Sequence, residues 1–449
     1  MEGTLLHREA ILAQFRDEPR VAEALCEKLL SEHADTPSYL KSRFYSVLMN
    51  ARRLQFKFAD IDRLDALAQQ HNRKAGNPLV SLVHDCITGI ALHAAGRTDA
   101  AIWRLRGALD TAERIEGPGG EQGAIAALLL AEIHYARNDL ESARRLVADY
   151  LPAAPNSGNN EKFIRGWLTH ARLAHLDFGP DAALAALEEA EIIANRRAFQ
   201  RMRVTIGAER MKILFQYGRR REAEDIAREL GVNRMSAAME SARNPTLCDE
   251  ARALAWTRLA LARNDLSGAS RVARQWRSRL ASSGATPHVV QWQLLIAQSL
   301  ILQGQMGAAT RVVREALVTA SASGLIRLFL DEGRGIAVIV SSCAQVRSAR
   351  HGADLLACKI AACLPREEID VLGAHISSRP VIHLTEALSQ TEINALAMVG
   401  QGLRNCEVAL RLGITEGSVK WCLQQVYDKI GVRKRSHAVH HARRLGLIS

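Results

Sequence analysis

The sequence predicts an all-α chain: a solenoid of stacked helical repeats over most of its length, then a small helix-turn-helix unit. Three observations carry that prediction. Of 449 residues, 48% are hydrophobic but only 5% aromatic, and Pro occurs just 11 times. Such an Ala-, Leu- and Arg-rich composition suits helices and starves strands of β-branched and aromatic material. A turn signature recurs at near-regular intervals between Pro78 and Gly333, and a second, differently patterned segment follows from Leu384 to Ser449.

Taken in order, the residues before Pro78 carry helix-spaced apolar positions in LHREAILAQFRDEPRVAEALCEKLLSEH and SYLKSRFYSVLMNARRLQFKFADIDRLDALAQQH, without a clean turn. They read as one or two degenerate helical pairs capping a stack. The repeats proper are HAAGRTDAAIWRLRGAL, YARNDLESARRLVADYL, LDFGPDAALAALEEA, QYGRRREAEDIAREL, LARNDLSGASRVARQW and LQGQMGAATRVVREAL. Their turn anchors are Gly96, Asn138, Gly179, Gly218, Asn264 and Gly304, at intervals of 42, 41, 39, 46 and 40 residues. Gly and Asn tolerate the left-handed conformation that ends a helix, and a following Asp or Ser caps the next one. Five residues after an anchor stand Ala101, Ala143, Ala223, Ala269 and Ala309, small enough for the two helices of a hairpin to approach closely.

GPGG at 117–120 and PAAPNSGNN at 152–160 read as loops between repeats. The stack closes with SGLIRLFLDEG, Ser323 to Gly333, and GIAVIVSSCAQ and LLACKIAACLP predict two more helices. Pro365, Gly373, Ser377, Ser378 and Pro380 mark a polar connector. The expected organisation is therefore a repeat domain over 1–364, a linker over 365–383 and a terminal domain over 384–449.

In the terminal domain, Ser389 and Glu392 have capping-box spacing at the start of a run containing Ile393, Leu396, Ala397, Val399 and Gly400, which ends at Gly402. A second helix, about Asn405 to Leu412, turns at Gly413 and Ile414, and Thr415 caps a third. Val419, Leu423, Val426 and Ile430 keep a helical 4, 3, 4 spacing, so Glu416, Gly417, Ser418, Lys420, Trp421 and Gln424 must face outwards. An exposed helix after a tight turn is the arrangement that enters a DNA major groove. After Arg433, Lys434 and Arg435, a last helix from Ser436 to Gly446 carries Ala438, Val439, Ala442 and Leu445 as an apolar stripe.

At these residues the segment from Leu388 resembles the LuxR-type (GerE-like) helix-turn-helix. LSQTE, GLRNCEVALRLGI, the SVK of Ser418 to Lys420, QQVYDKIGV and the final RLGLI carry the likeness. The resemblance implies that Lys420, Trp421 and Gln424 read base edges, and that Asn405, Ser418, Arg433 and Lys434 stand near phosphates. It also implies an internal pair of Glu392 with Arg435 and a dimerising last helix made of Ala438, Val439, Ala442 and Leu445. Thr391 stands where Arg is usual, Arg404 where Ser, Cys406 where Lys and Cys422 where His often occurs, which leaves the target sequence open. The repeats are similar to tetratricopeptide repeats and, more loosely, to the MalT-like regulators, whose solenoid is an inducer sensor. No GxxxxGK[ST] occurs in the sequence, so the nucleotide module of those regulators is not expected in it. No receiver pattern of alternating strands and helices is visible either.

The net charge of +11 and pI near 9.5 fit an acidic polymer as partner. Eight cysteines lie scattered without CxxC or metal spacing, so they read as reduced cytosolic thiols, with no disulfide framework and no metal. Cys406 and Cys422 read as unremarkable thiols sooner than as a redox switch on the DNA face. Trp103, Trp167, Trp256, Trp276, Trp292, Tyr135 and His170 read as inter-helix packing sooner than as a ligand groove. Arg219, Arg220 and Arg221 fit a solvated turn, and His437, His440 and His441 lack an acidic or cysteine partner for a metal. Neither a secretory leader nor a run long enough to span a membrane is evident, and no catalytic motif or cofactor loop appears. The expectation is a cytoplasmic regulator binding double-stranded DNA as a homodimer, with a small-molecule or protein inducer in its solenoid. The alternative is a repeat scaffold gripping a protein, with a helix-turn-helix that binds no DNA.

Overall fold

The structure is a computed structural model that describes residues 2–32, 36–154, 160–234, 244–344, 352–364, 390–429, 435, 438–439 and 442. Every element among the described residues is helical. The chain divides into two compact units, Met1–Leu372 and Gly373–Ser449. The connector expected at 365–383 lies outside the described residues.

The first unit is a row of helical hairpins. Glu2–Phe15 pairs with Pro19–Glu32, Ser38–Arg53 with Ile61–Ala75, Pro78–Ala94 with Thr98–Glu116, and Glu121–Ala136 with Leu140–Tyr150. Asn160–Phe178 pairs with Pro180–Arg196, Gln200–Gln216 with Arg220–Glu229, Leu247–Ala262 with Leu266–Ser283, and Thr286–Leu302 with Met306–Ala320. A short Arg327–Leu330 helix, then Arg334–Ala344 and Gly352–Ala362, complete the unit.

All six turn anchors have positive φ, from 64° at Asn264 to 89° at Gly179. In most of them the amide after the anchor reaches back five residues: Arg97 N donates to Leu92 O, Asp139 N to His134 O and Gln305 N to Leu300 O. That is the Schellman closure, which satisfies otherwise orphaned carbonyls. Asp139 and Asp265 then cap the next helices, accepting from Ser142 N and Gly268 N. The five alanines that follow an anchor are all fully buried.

The first two hairpins make the same closure at Asp17 (φ 62°) and Phe56 (φ 59°). A bulky residue in that conformation is strained. At Phe56 the strain is offset by burial: its ring lies edge-on to Trp276 and His288, with centroids 6.4 and 5.2 Å away.

The hairpins form two layers. After the first pair, the first helix of a pair is the more deeply buried, almost all round in Glu121–Ala136, whereas the second buries one stripe, as in Leu140–Tyr150. A helix apolar on every side belongs inside, so the first helices form the inner wall. This wall curls back on itself. Leu247 N donates to Leu54 O, Ile326 N to Ala136 O and Ser323 Oγ to Gly96 O. Tyr135 Oη donates to Asp331, and Arg201 bonds Asp17, so side-chain bonds join residues 184 to 227 positions apart. This seam makes the repeats a closed body.

Candidate nucleic-acid interface

In the second unit, Gln390–Gly400, Asn405–Leu412 and Glu416–Lys429 enclose a small core. Ala395, Val399, Val408, Ala409, Val419, Cys422 and Leu423 form one part of it; Leu396, Val426, Ala438 and Ala442 form the other. Gly413 ends the second helix in the left-handed conformation at φ 67°, and Thr415 Oγ1 accepts from Ser418 N at 3.1 Å to start the third. The turn and cap therefore stand where the spacing put them. At Arg404, in place of the usual serine, the side chain cannot accept a hydrogen bond; its backbone N donates to Glu407 Oε2 at 2.6 Å instead.

The third helix is two-faced. Val419, Leu423 and Val426 are buried, while Glu416, Gly417, Ser418, Lys420, Trp421 and Gln424 are exposed, Trp421 by 68%. Lys420 Nζ lies 3.2 Å from Glu416 Oε1, a solvent-exposed pair too weak to hold the lysine against a phosphate. The Trp421 indole has solvent over most of its surface. Asn405, at the first position of the second helix, accepts from an Arg435 Nη at 3.1 Å, and the other Nη of Arg435 donates to Leu403 O. A guanidinium beside exposed helix amides suits an anion. Glu392 is buried, and Arg435 is fastened through Asn405 and Leu403, partners that the family pattern did not suggest.

Ala438 and Ala442, expected on a pairing surface, are fully buried with Leu396 and Val426. Val439 is part-buried in the same packing. Cys422 lies in the core and Cys406 is exposed. Ser389, Ile430, Arg433, Lys434, Leu445 and the histidines 437, 440 and 441 lie outside the described residues.

The repeat unit holds what the sequence did not reveal: a lattice of buried charges on the inner wall. Glu161 Oε1 lies 2.6 Å from both Arg53 and Arg201, and its other oxygen lies 3.5 Å from Arg165. Arg201 also bonds Asp17, and Arg165 bonds Glu132 at 2.5 Å. Further along, Arg172 and Glu209 form a forked pair, as do Arg258 and Glu332. Burial would raise the Glu161 carboxyl, but Arg201, Arg53 and Arg165 outweigh it and hold it far below the ordinary carboxylate range. The neighbouring His93 ring is pushed down to about 4 by burial. One signal was available: charges of both signs, such as Glu132, Glu161 and Arg201, stand among the apolar residues of the inner helices.

Of the aromatic candidates, Trp276 and Trp292 stack in the core with ring centroids 5.7 Å apart, and Trp292 Nε1 donates to Glu250. Trp167, Trp256 and Tyr135 are buried, Trp167 lies edge-on to His170, and Trp103 is 75% exposed. The Arg219 and Arg220 side chains pair with Asp181, Glu222 and Glu224 on the surface. Among the described residues, a cavity of about 340 Å³ with mainly apolar lining opens on the inner wall, and another of about 190 Å³ is lined by the charged lattice. Among the described residues no cluster of metal ligands occurs, and no helix is long and apolar enough to cross a membrane.

Residues 5–345 match the family model of the MalT-like TPR region, and residues 386–442 match that of bacterial regulatory proteins, luxR family. The repeats thus extend to the N-terminal hairpins that lack a glycine turn. The HTH-type transcriptional regulator AlkS of Alcanivorax borkumensis is 34% identical over 83 residues, 18% of this chain and 10% of that one. The HTH-type transcriptional regulator MalT of Cronobacter sakazakii is 28% identical over 163 residues, 34% of this chain and 18% of that one. The matched stretch covers less than a fifth of either relative.

Proposed function

Because the chain belongs to the MalT-like TPR region family and carries a luxR-family unit, we propose that it is a cytoplasmic DNA-binding transcriptional regulator whose repeat domain senses an inducer and controls the terminal domain, with 365–383 as the linker. The observation that carries the reading is the two-faced third helix. Its apolar residues are spent on the core, and Lys420, Trp421 and Gln424 project from the opposite side. Seated in a major groove, Lys420 and Gln424 would meet base edges, with Ser418, Asn405, Arg433 and Lys434 beside the backbone. Two such units on DNA would place their third helices about 34 Å apart. Pairing would use surfaces other than Ala438 and Ala442.

The closed seam argues against a scaffold that grips a peptide in an open groove, since the repeats fill their own inner face with ion pairs and aromatic packing. The cavities left there have the size of small-molecule sites, which favours a small inducer over a protein. No catalytic role is proposed. The test is a footprint with the intact chain and its Lys420→Ala/Gln424→Ala variant. Loss of the protected site at unchanged helicity is expected; a variant that still protects its operator overturns the assignment. A salt titration on random duplex separates the scaffold reading, because a DNA binder must show log-linear salt dependence.

A further inference from the structure

The apolar cavity on the inner wall of the repeat unit has a definite chemistry. It occupies about 340 Å³ between the inner helices of the first repeats, many times the space of a water molecule and within the range of small-molecule sites. Val83, Ile87 and Ile90 project into it from Pro78–Ala94, and Ile125 and Leu129 face them from Glu121–Ala136. Phe15 and Leu79, which are 45% and 39% exposed, stand among its lining residues and give it a mouth to solvent.

Its polar groups are few and mostly committed. Arg201 already bonds Asp17 and Glu161, Asn50 Oδ1 accepts from Arg53, and Ser46 Oγ donates to Ser42 O. Glu161, also in the lining, is held by three guanidiniums, and Arg43 stands exposed at the rim, so inside the cavity neither an anion nor a cation is called for. The exception is Gln14: its Oε1 is buried and finds no donor among the described residues. A buried acceptor without a donor is unfavourable unless something else supplies one.

From these observations we infer that the cavity is a binding site for a neutral, mainly apolar small molecule carrying one hydrogen-bond donor, which meets Gln14 Oε1. The consequence of binding rests on the sensor reading above; the site itself does not. The ligand would touch Ile11, Gln14 and Phe15 of the first helix. Asp17, two residues further on, is the carboxylate that Arg201 holds at 2.8 Å across the seam. Occupancy thus bears directly on the fastening of the first hairpin.

The test is calorimetric titration of the intact chain with straight-chain 1-alkanols from pentanol to decanol and with their methyl ethers. Saturable binding is expected, tightening by about fourfold per methylene until the chain fills the cavity and weakening beyond that length. The alcohol should bind about fivefold tighter than its ether. Val83→Trp, filling the space, should abolish binding, and Gln14→Leu should erase the preference for alcohol; circular dichroism checks that both retain native helicity. If Val83→Trp does not fold, Gln14→Leu decides. Absence of saturable binding, absence of a chain-length optimum, or a folded Val83→Trp chain that binds like the original overturns the site. Polarisation on duplex DNA with and without the tightest alkanol distinguishes the two ideas: binding that leaves DNA affinity unchanged supports the site and overturns the sensor.

Discussion

Replacing Glu161 with glutamine removes one negative charge from the point where three guanidiniums converge. The partners lie 2.6, 2.6 and 3.5 Å away, and both Arg53 and Arg201 are almost wholly buried. Solvent screening is therefore small, unlike at a surface pair. Breaking a buried ion pair by deleting one partner costs ~3–5 kcal/mol, because the charges left behind cannot rehydrate. Spread over the entropy of a unit this size, that lowers the melting midpoint by roughly 4–7 °C. Thermal and urea unfolding followed by circular dichroism at neutral pH measure both quantities. A paired change supplies the control. In Arg53→Met/Glu161→Leu, Arg201 keeps Asp17 and Arg165 keeps Glu132, so no guanidinium is left without a carboxylate. Most of the lost stability should return, since an apolar replacement of a whole buried pair is often neutral. A loss below about 1 kcal/mol for Glu161→Gln, or a double variant as unstable as the single one, would refute the argument from uncompensated charge.

Other outcomes follow from the same structure. Gly96 and Gly304 are both left-handed turn glycines, but a Cβ at Gly96 collides with the Thr286 side chain whereas one at Gly304 meets nothing. Both alanine variants should lose about 1 kcal/mol to backbone strain, and only Gly96→Ala should lose more, as measured by urea midpoints; equal losses would mean that this part of the seam gives way freely. His93 is neutral when folded, its ring titrating at about 4, while the unfolded ring takes a proton near 6.5. The unfolded state therefore binds more protons between those values, and stability is full above about pH 6.5 and falls by about 3 kcal/mol as pH drops to 4. Unfolding free energies measured across that range should lose this slope in His93→Gln. Finally, iodoacetamide followed by mass spectrometry should label Cys406 in the native chain and Cys422 only after unfolding; early labelling of Cys422 would remove it from the core.

What the sequence made legible is what local chemistry dictates. Gly96, Asn138, Gly179, Gly218, Asn264 and Gly304 announce their turns because a left-handed residue needs either no Cβ or a short polar side chain. Phe56 makes the same turn without such a side chain, and Asp17 makes it outside the Gly or Asn pattern of the later repeats, so the first hairpins looked degenerate although they close in the same way. In the terminal unit the 4, 3 spacing of Val419, Leu423 and Val426 separated the core face from the exposed face correctly. It did not place Cys422, which sits next to Leu423 at the edge of the buried face. Nor did an apolar stripe at Ala438 and Ala442 say whether it would be covered by its own domain or by another chain. The charged lattice was the least legible feature, because Glu161 and Arg201 stand 40 residues apart and nothing local pairs them.

The curl of the repeats also sets an order of events at birth. Leu54 leaves the ribosome long before Leu247, the residue whose amide it will receive, and at ~5–20 residues per second that delay is about 10–40 s. Each hairpin can form at once, since its contacts are local. The seam cannot. Until residues 244–331 emerge, Phe56 and the carboxylates and guanidiniums meant for the far side face solvent, a nascent surface that is sticky and charged at once. The charges along the inner helices then serve a purpose before the protein is finished: they keep that waiting face soluble.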